Sequence, residues 1–150
     1  MPLLPISHRP QRQQAECLAA CAAMVLDHLN IQVSYDELIN KLQIGPAGAP
    51  FRNLYFLQPF GVSVLIEQGQ IDTLRAYLQQ NVPPIVFVAT QELSYWVEAT
   101  NHALVVADID NHSVYVNDPS FADAPKVIPI AEFELAWLEM DEFFAVIQAK

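Results

Sequence analysis

Apolar positions recur at helical spacing through the first third of the chain. Leu18, Cys21, Ala22, Val25, Leu26 and Leu29 share one face of a 3.6-residue period, which predicts a helix over 16–30. Ser34 followed by Glu37 is a capping box that opens a second helix, to about residue 43. A Gly/Pro/Ala loop over 45–50 leads to a third predicted helix over 53–60, stopped by Gly61. The period then changes. Short apolar runs predict strands at 62–66, 85–89, 103–109, 113–117, 126–128 and 143–147. Helices at 73–80, with Asp72 as cap, and at 132–138 lie between them. Asp110-Asn111-His112 separates two of the runs and reads as a hairpin turn. Helices first and a largely antiparallel sheet afterwards make this an α+β chain. The expected organisation is a single domain over 1–150, with a helical lobe at about 1–61 and a sheet lobe at about 62–150.

Composition narrows the function. At 53% hydrophobic and 16% charged residues, the 150-residue chain packs a core. The net charge of −10 is unevenly spread: residues 1–91 carry six acids and five bases, residues 92–150 eleven acids and two bases. No basic face is available for phosphates, which excludes a nucleic-acid partner and favours basic or neutral peptides. The acidity serves solubility in any case. None of the four glycines forms a G-x-G signature. No apolar run is long enough to span a membrane, and the N-terminus, with Pro2 and Pro5, is not a signal peptide. Two cysteines four apart on one helix make no disulfide framework, so a reduced, cytoplasmic setting is expected.

The chemistry concentrates in four residues. Cys17 falls in the first turn of a predicted helix, where unpaired N–H groups and the helix dipole stabilise a thiolate. A cysteine on an apolar helix is also ordinary core packing, and Cys21, one turn on, is read that way. Gln11, six residues before Cys17, could aim an amide N–H at a developing oxyanion, with Gln13 and Gln14 as adjacent competitors. His102 starts an apolar strand after a loop, whereas His8 and His112 read as loop residues and His28 sits at a helix end. Counting across the turn centred on Asp110-Asn111 sets residue 102 roughly opposite residue 118, which brings the Asp118 carboxylate within reach of the imidazole. Alternation turns the neighbouring Asn117 to the other face. Asn-Asp-Pro is equally a common turn starter. Tyr95 and Trp96 precede His102 by a short loop and either wall a substrate cleft or pack between lobes.

Together these residues resemble a known family. Gln11-Arg-Gln-Gln-Ala-Glu-Cys17, followed by Leu-Ala-Ala-Cys-Ala-Ala-Met24, resembles the start of the C39 peptidases. Asn101-His-Ala-Leu-Val-Val-Ala-Asp-Ile-Asp110 resembles their histidine strand, and Val114-Tyr-Val-Asn-Asp-Pro119 their aspartate–proline motif. The resemblance extends through Phe133 and Trp137. It implies a papain-like fold and a cysteine peptidase with Cys17 as nucleophile, His102 as base, Asp118 as orienting acid and Gln11 in the oxyanion hole, with no cofactor. Family members are best known as N-terminal domains of peptide-exporting ABC transporters that cut leader peptides after Gly-Gly; others stand alone. This chain shows no ABC transporter segment, so a standalone relative acting on a peptide or protein is expected.

The family usually has Asp before the cysteine and Gly after it, where this chain has Glu16 and Leu18. Glycine lets a substrate backbone approach closely, so Leu18 narrows or redirects the cleft. The resemblance therefore carries thiol chemistry and leaves Gly-Gly specificity open. The alternatives are a catalytically silent peptide-binding module and a thiol-dependent acyl transferase or amidase. A metal site at Cys17, Cys21 and His28 is remote, because nothing completes a tetrahedral set.

Overall fold

The structure is a computed structural model and describes residues 3–150. An extended N-terminal arm is tied to the sheet by Leu4 N–H on Ala107 O (3.1 Å) and by Gln11 N–H on Pro119 O (2.8 Å). It leads through a 3-10 turn, Gln14–Glu16, directly into α1, Cys17–His28. α2 spans Tyr35–Lys41, with the Ser34 hydroxyl accepting the Glu37 N–H as the capping box requires.

The third predicted helix is instead a 3-10 segment over Phe51–Phe60. Pro59 lies inside it and cannot donate a backbone hydrogen bond, and the Asn53 N–H closes on Pro50 O at 3.0 Å, three residues back, while its side-chain amide donates to Leu42 O at 2.9 Å. Gly61 stops it in the left-handed region, φ 88°.

Six strands follow: β1 Val62–Gln68, β2 Ile85–Ala89, β3 Asn101–Ile109, β4 Ser113–Asn117, β5 Lys126–Pro129 and β6 Phe143–Ala149. They form one antiparallel sheet in the order β1-β6-β2-β3-β4-β5. α3, Ile71–Gln79, joins β1 to β2, and α4, Ile130–Leu138, joins β5 to β6. Asp72 does not cap α3. The cap is Gln70, whose backbone N–H donates to Thr73 Oγ1 at 3.0 Å, while Asp72 in the first turn binds Arg75.

The sheet is covered on both faces. Val62, Val64, Ile85, Ala103, Val105, Ala145 and Ile147 face α1, together with Leu38 of α2 and Leu54 and Leu57 of the 3-10 segment. Val86, Val88, Leu104, Val106, Val116 and Val146 face Leu74 and Leu78 of α3 and Phe133 and Trp137 of α4. Two covered faces explain why β3 is buried from His102 to Ile109 and carries the unbroken apolar run Ala103–Ala107 in place of an alternation. Every residue of α1 from Leu18 to Leu26 is buried, so this helix runs through the interior and exposes its first residue at the edge. Among the described residues, no helix is long and apolar enough to cross a membrane.

Candidate active site

Cys17 is partly exposed at the first position of α1, and Cys21 is fully buried in the core below it. Burial pushes the Cys21 thiol well up from its ordinary value, keeping it protonated and apolar. Leu18 packs inward and is only 2% exposed. Glu16 is buried 3.9 Å from Arg12 Nε, and the Arg12 guanidinium lies 4.2 Å over the Tyr35 ring and bonds Asp36 at 2.8 Å. These contacts clamp the residue before Cys17 onto α2.

His102, the second residue of β3, and Asp118, just past β4, meet at 2.7 Å between Nε2 and Oδ1, both buried. The register differs from the count across the turn. Val105 pairs with Asn117, and a bulge falls between Val106 and Asp108. The turn is centred between Asn111 and His112, because Asp110 Oδ1 accepts the His112 and Ser113 N–H groups. Asp118 therefore lies across from Leu104, two residues beyond His102. An even offset keeps the same face of the sheet, so the pair forms on the diagonal. Asn117 does turn to the other face, its amide 3.8 Å from Met24 Sδ in α1.

Burial acts against the charge on both groups, and their contact acts for it. For His102 the bond to Asp118, followed by the Cys17 side chain, outweighs burial and raises the pKa to about 9. For Asp118 the His102 bond and charge, with the Ser120 N–H and Tyr95 O–H, outweigh burial and hold the carboxyl below its ordinary value. The site favours an imidazolium–carboxylate pair, with the Cys17 side chain as the imidazole's other neighbour. With Nε2 given to Asp118, Nδ1 is the nitrogen left for sulfur.

The Gln11 side chain lies beside the helix entrance. Its Nε2 donates to Gln13 O at 3.0 Å and to Gln14 O at 2.9 Å, and its Oε1 is buried without a partner. In this conformation both amide hydrogens hold the 3-10 turn.

The family model for the peptidase C39 family matches residues 6–143. The chain belongs to that family. No curated protein matches it in sequence. Among solved structures it is similar to a putative C39-like peptidase from Bacillus anthracis, with TM-score 0.81, 16% identity and coverage of 99% of this chain and 98% of that one. It is also similar to a double glycine motif protease from an AMS/PCAT transporter in complex with the leader peptide (TM-score 0.79, 19% identity, 99% and 94% covered). The peptidase domain of Streptococcus ComA, a bifunctional ABC transporter involved in quorum sensing, matches at TM-score 0.79 and 18% identity over 97% and 99%. The fold of this C39 chain is thus the papain-like α+β fold of those peptidase domains.

In this C39 chain Tyr95 and Trp96 do more than wall a cleft. Tyr95 O–H donates to Asp118 Oδ2 at 2.7 Å and Trp96 Nε1–H to the same oxygen at 2.9 Å. Ser120 N–H donates to Oδ1 at 3.0 Å. Burial and the adjoining Asp118 charge raise the Tyr95 pKa, so its phenol stays a donor. Trp96 also packs edge-on to the His102 ring, 4.8 Å between centroids.

Buried Thr90 fixes the loop that carries these aromatics. Its hydroxyl lies 2.7 Å from Glu98 O and 3.0 Å from Thr100 O and accepts Thr100 N–H at 2.8 Å. Neither Thr90 nor Ser120 carries a sequence signal beyond proximity to the strand ends.

Two clefts lie beside the start of α1. One, of about 240 Å³, is lined by Cys17, Leu18, the small residues of the 46–49 loop, Phe87 and Thr100. The other, of about 410 Å³, is lined by Gln11, Arg12, Trp96, Glu98 and Phe121, among others. Gln14 borders both.

Proposed function

We propose that this C39 chain is a cysteine peptidase using Cys17, His102 and Asp118, with a precursor or leader peptide as substrate. The observation that carries the reading is the buried His102–Asp118 pair with the Cys17 side chain acting on the same imidazole. The Cys17 proton passes to His102, the thiolate sulfur bonds the peptide carbonyl carbon, and the C=O π pair moves onto the carbonyl oxygen as negative charge. Collapse breaks the C–N bond, and the departing amine takes its proton from His102. Water then attacks the thioester, giving a proton to His102, the C–S bond breaks, and the acid leaves with the thiolate–imidazolium pair restored. Asp118 holds the ring and its charge.

The oxyanion would be held by the Cys17 N–H at the start of α1 and by the Gln11 amide. Gln11 can do so only by releasing Gln13 O or Gln14 O. That engagement is the one observation favouring the catalytically silent alternative. The likeness to a double glycine motif protease bound to a leader peptide supports a peptide substrate. Tyr95 and Trp96 border the second cleft and would meet the peptide, while Leu18, 2% exposed beside Cys17, would bear on the first chiefly through its bulk.

The test is a peptide-library digest and labelling with an epoxide or iodoacetamide probe, wild type against Cys17→Ala. Cleavage and labelling that vanish in the variant are expected. Equal labelling of Cys17→Ala would refute the assignment.

A further inference from the structure

We infer that the cleft on the leaving-group side selects basic side chains and that Glu98 sets this preference, an inference that rests on the peptidase reading above. The chemistry assigns the two sides. The acyl half of a substrate stays on sulfur, in the cleft lined by Cys17 and Leu18. The amine half departs with a proton from His102, on the side where Trp96 packs against the imidazole and lines the second cleft.

Two charged residues line that second cleft, Arg12 and Glu98. Arg12 is already engaged by Asp36 at 2.8 Å, Glu16 at 3.9 Å and the Tyr35 ring. Glu98 meets only the Gln14 amide, at 3.5 Å, and has no cationic partner among the described residues. The free charge in the cleft is therefore negative. The backbone that carries it is fixed, because Thr90 pins the loop at Glu98 O and Thr100 N–H.

The walls suit a long cationic side chain as well. Trp96 and Tyr95 pack edge-on against Phe121, with ring centroids 5.6 and 5.2 Å apart. Val97, beside them, is 99% exposed. Lys126 Nζ already lies 4.7 Å over the Phe121 ring, a cation resting on the same aromatic cluster. A lysine or arginine just past the cut bond would lay its stem along Trp96 and Val97 and bring its charge to Glu98. The excess of acids over bases in residues 92–150, eleven to two, adds a field of the same sign.

The experiment reads the residues following each cut bond when a random decapeptide library is digested, by mass spectrometry. Wild type should enrich Lys and Arg over Asp and Glu about fivefold at low salt, the scale of one partly exposed charge pair, and less at high salt. Glu98→Gln should flatten the profile and Glu98→Lys invert it. In parallel, Cys17→Ala with and without Glu98→Lys is titrated with two labelled peptides, Ala-Ala-Gly-Lys-Lys-Ala and Ala-Ala-Gly-Glu-Glu-Ala. A flat wild-type profile, or one that Glu98→Lys leaves unmoved, overturns the inference and leaves the peptidase reading standing. No cleavage, but a binding preference that Glu98→Lys reverses, upholds the charge selection and removes the peptidase reading. Neither cleavage nor discrimination removes both.

Discussion

Asp118 takes the Tyr95 hydroxyl at 2.7 Å on the carboxylate oxygen that does not touch His102. The Trp96 N–H shares that oxygen, while the Ser120 N–H shares the other with the imidazole. A fully buried carboxylate thus stays charged because donors fill both its oxygens, and they also prevent it from rotating away from His102.

Tyr95→Phe keeps the ring against Phe121 and removes one donor. It should destabilise the protein by about 1–3 kcal/mol in denaturant titrations. The Tyr95 bond holds the Asp118 pKa down, so its loss should move the acid-side fall in stability to higher pH. An acid limb that does not move would separate Tyr95 from the carboxylate.

The His102–Asp118 pair sets a pH window for stability. The His102 pKa is raised from 6.5 to about 9, so its contribution is fully present below 6.5 and is lost as pH rises through 9. The Asp118 pKa is lowered from 3.8, so its contribution is present above 3.8 and is lost as pH falls through the lower value. The stability difference between wild type and His102→Ala should be largest between these limits, on the order of 3 kcal/mol at most, and should shrink toward pH 9. A difference that is flat from pH 6 to pH 9 contradicts the pairing.

Thiol reactivity should divide between the two cysteines. Native protein should alkylate at Cys17 alone, with Cys21 reacting only on unfolding, as peptide mapping would read. His102→Ala should slow alkylation of Cys17 at neutral pH, because a neighbouring imidazolium favours the thiolate. Cys21→Ser should cost about 1–3 kcal/mol through a buried hydroxyl poorly served by its apolar surroundings.

Gln11→Ala separates the turn-holding and oxyanion roles. An oxyanion donor lost should lower kcat on the order of 100-fold with little change in KM. If the side chain serves only the Gln13–Gln14 turn, kcat falls no further than the accompanying loss of stability explains.

Thr90→Val keeps the shape of the side chain and deletes its hydroxyl. It should cost about 1–3 kcal/mol and speed amide hydrogen exchange across residues 98–100, whose backbone it holds. Unchanged exchange there would mean that another contact fixes the loop.

The helix that begins at Cys17, the strand bearing His102, the strand that ends just before Asp118, and the face each residue occupies were legible in the chain. All are set by local periodicity, and a two-residue register difference leaves a side chain on the same face. The loss of α-helical form at Phe51–Phe60 and the cap at Gln70 went the other way, because each turned on particular hydrogen bonds that an apolar pattern does not encode. The environment of Asp118 was equally out of reach: Tyr95 and Trp96 read as cleft walls or lobe packing with no tie to the carboxylate, and Ser120 and Thr90 as ordinary loop and strand-end residues. Local sequence determines which element forms and which way a residue faces. Which donors fill a buried carboxylate, and whether the Gln11 amide is spent on a turn, is decided only when distant segments close around them and exclude water.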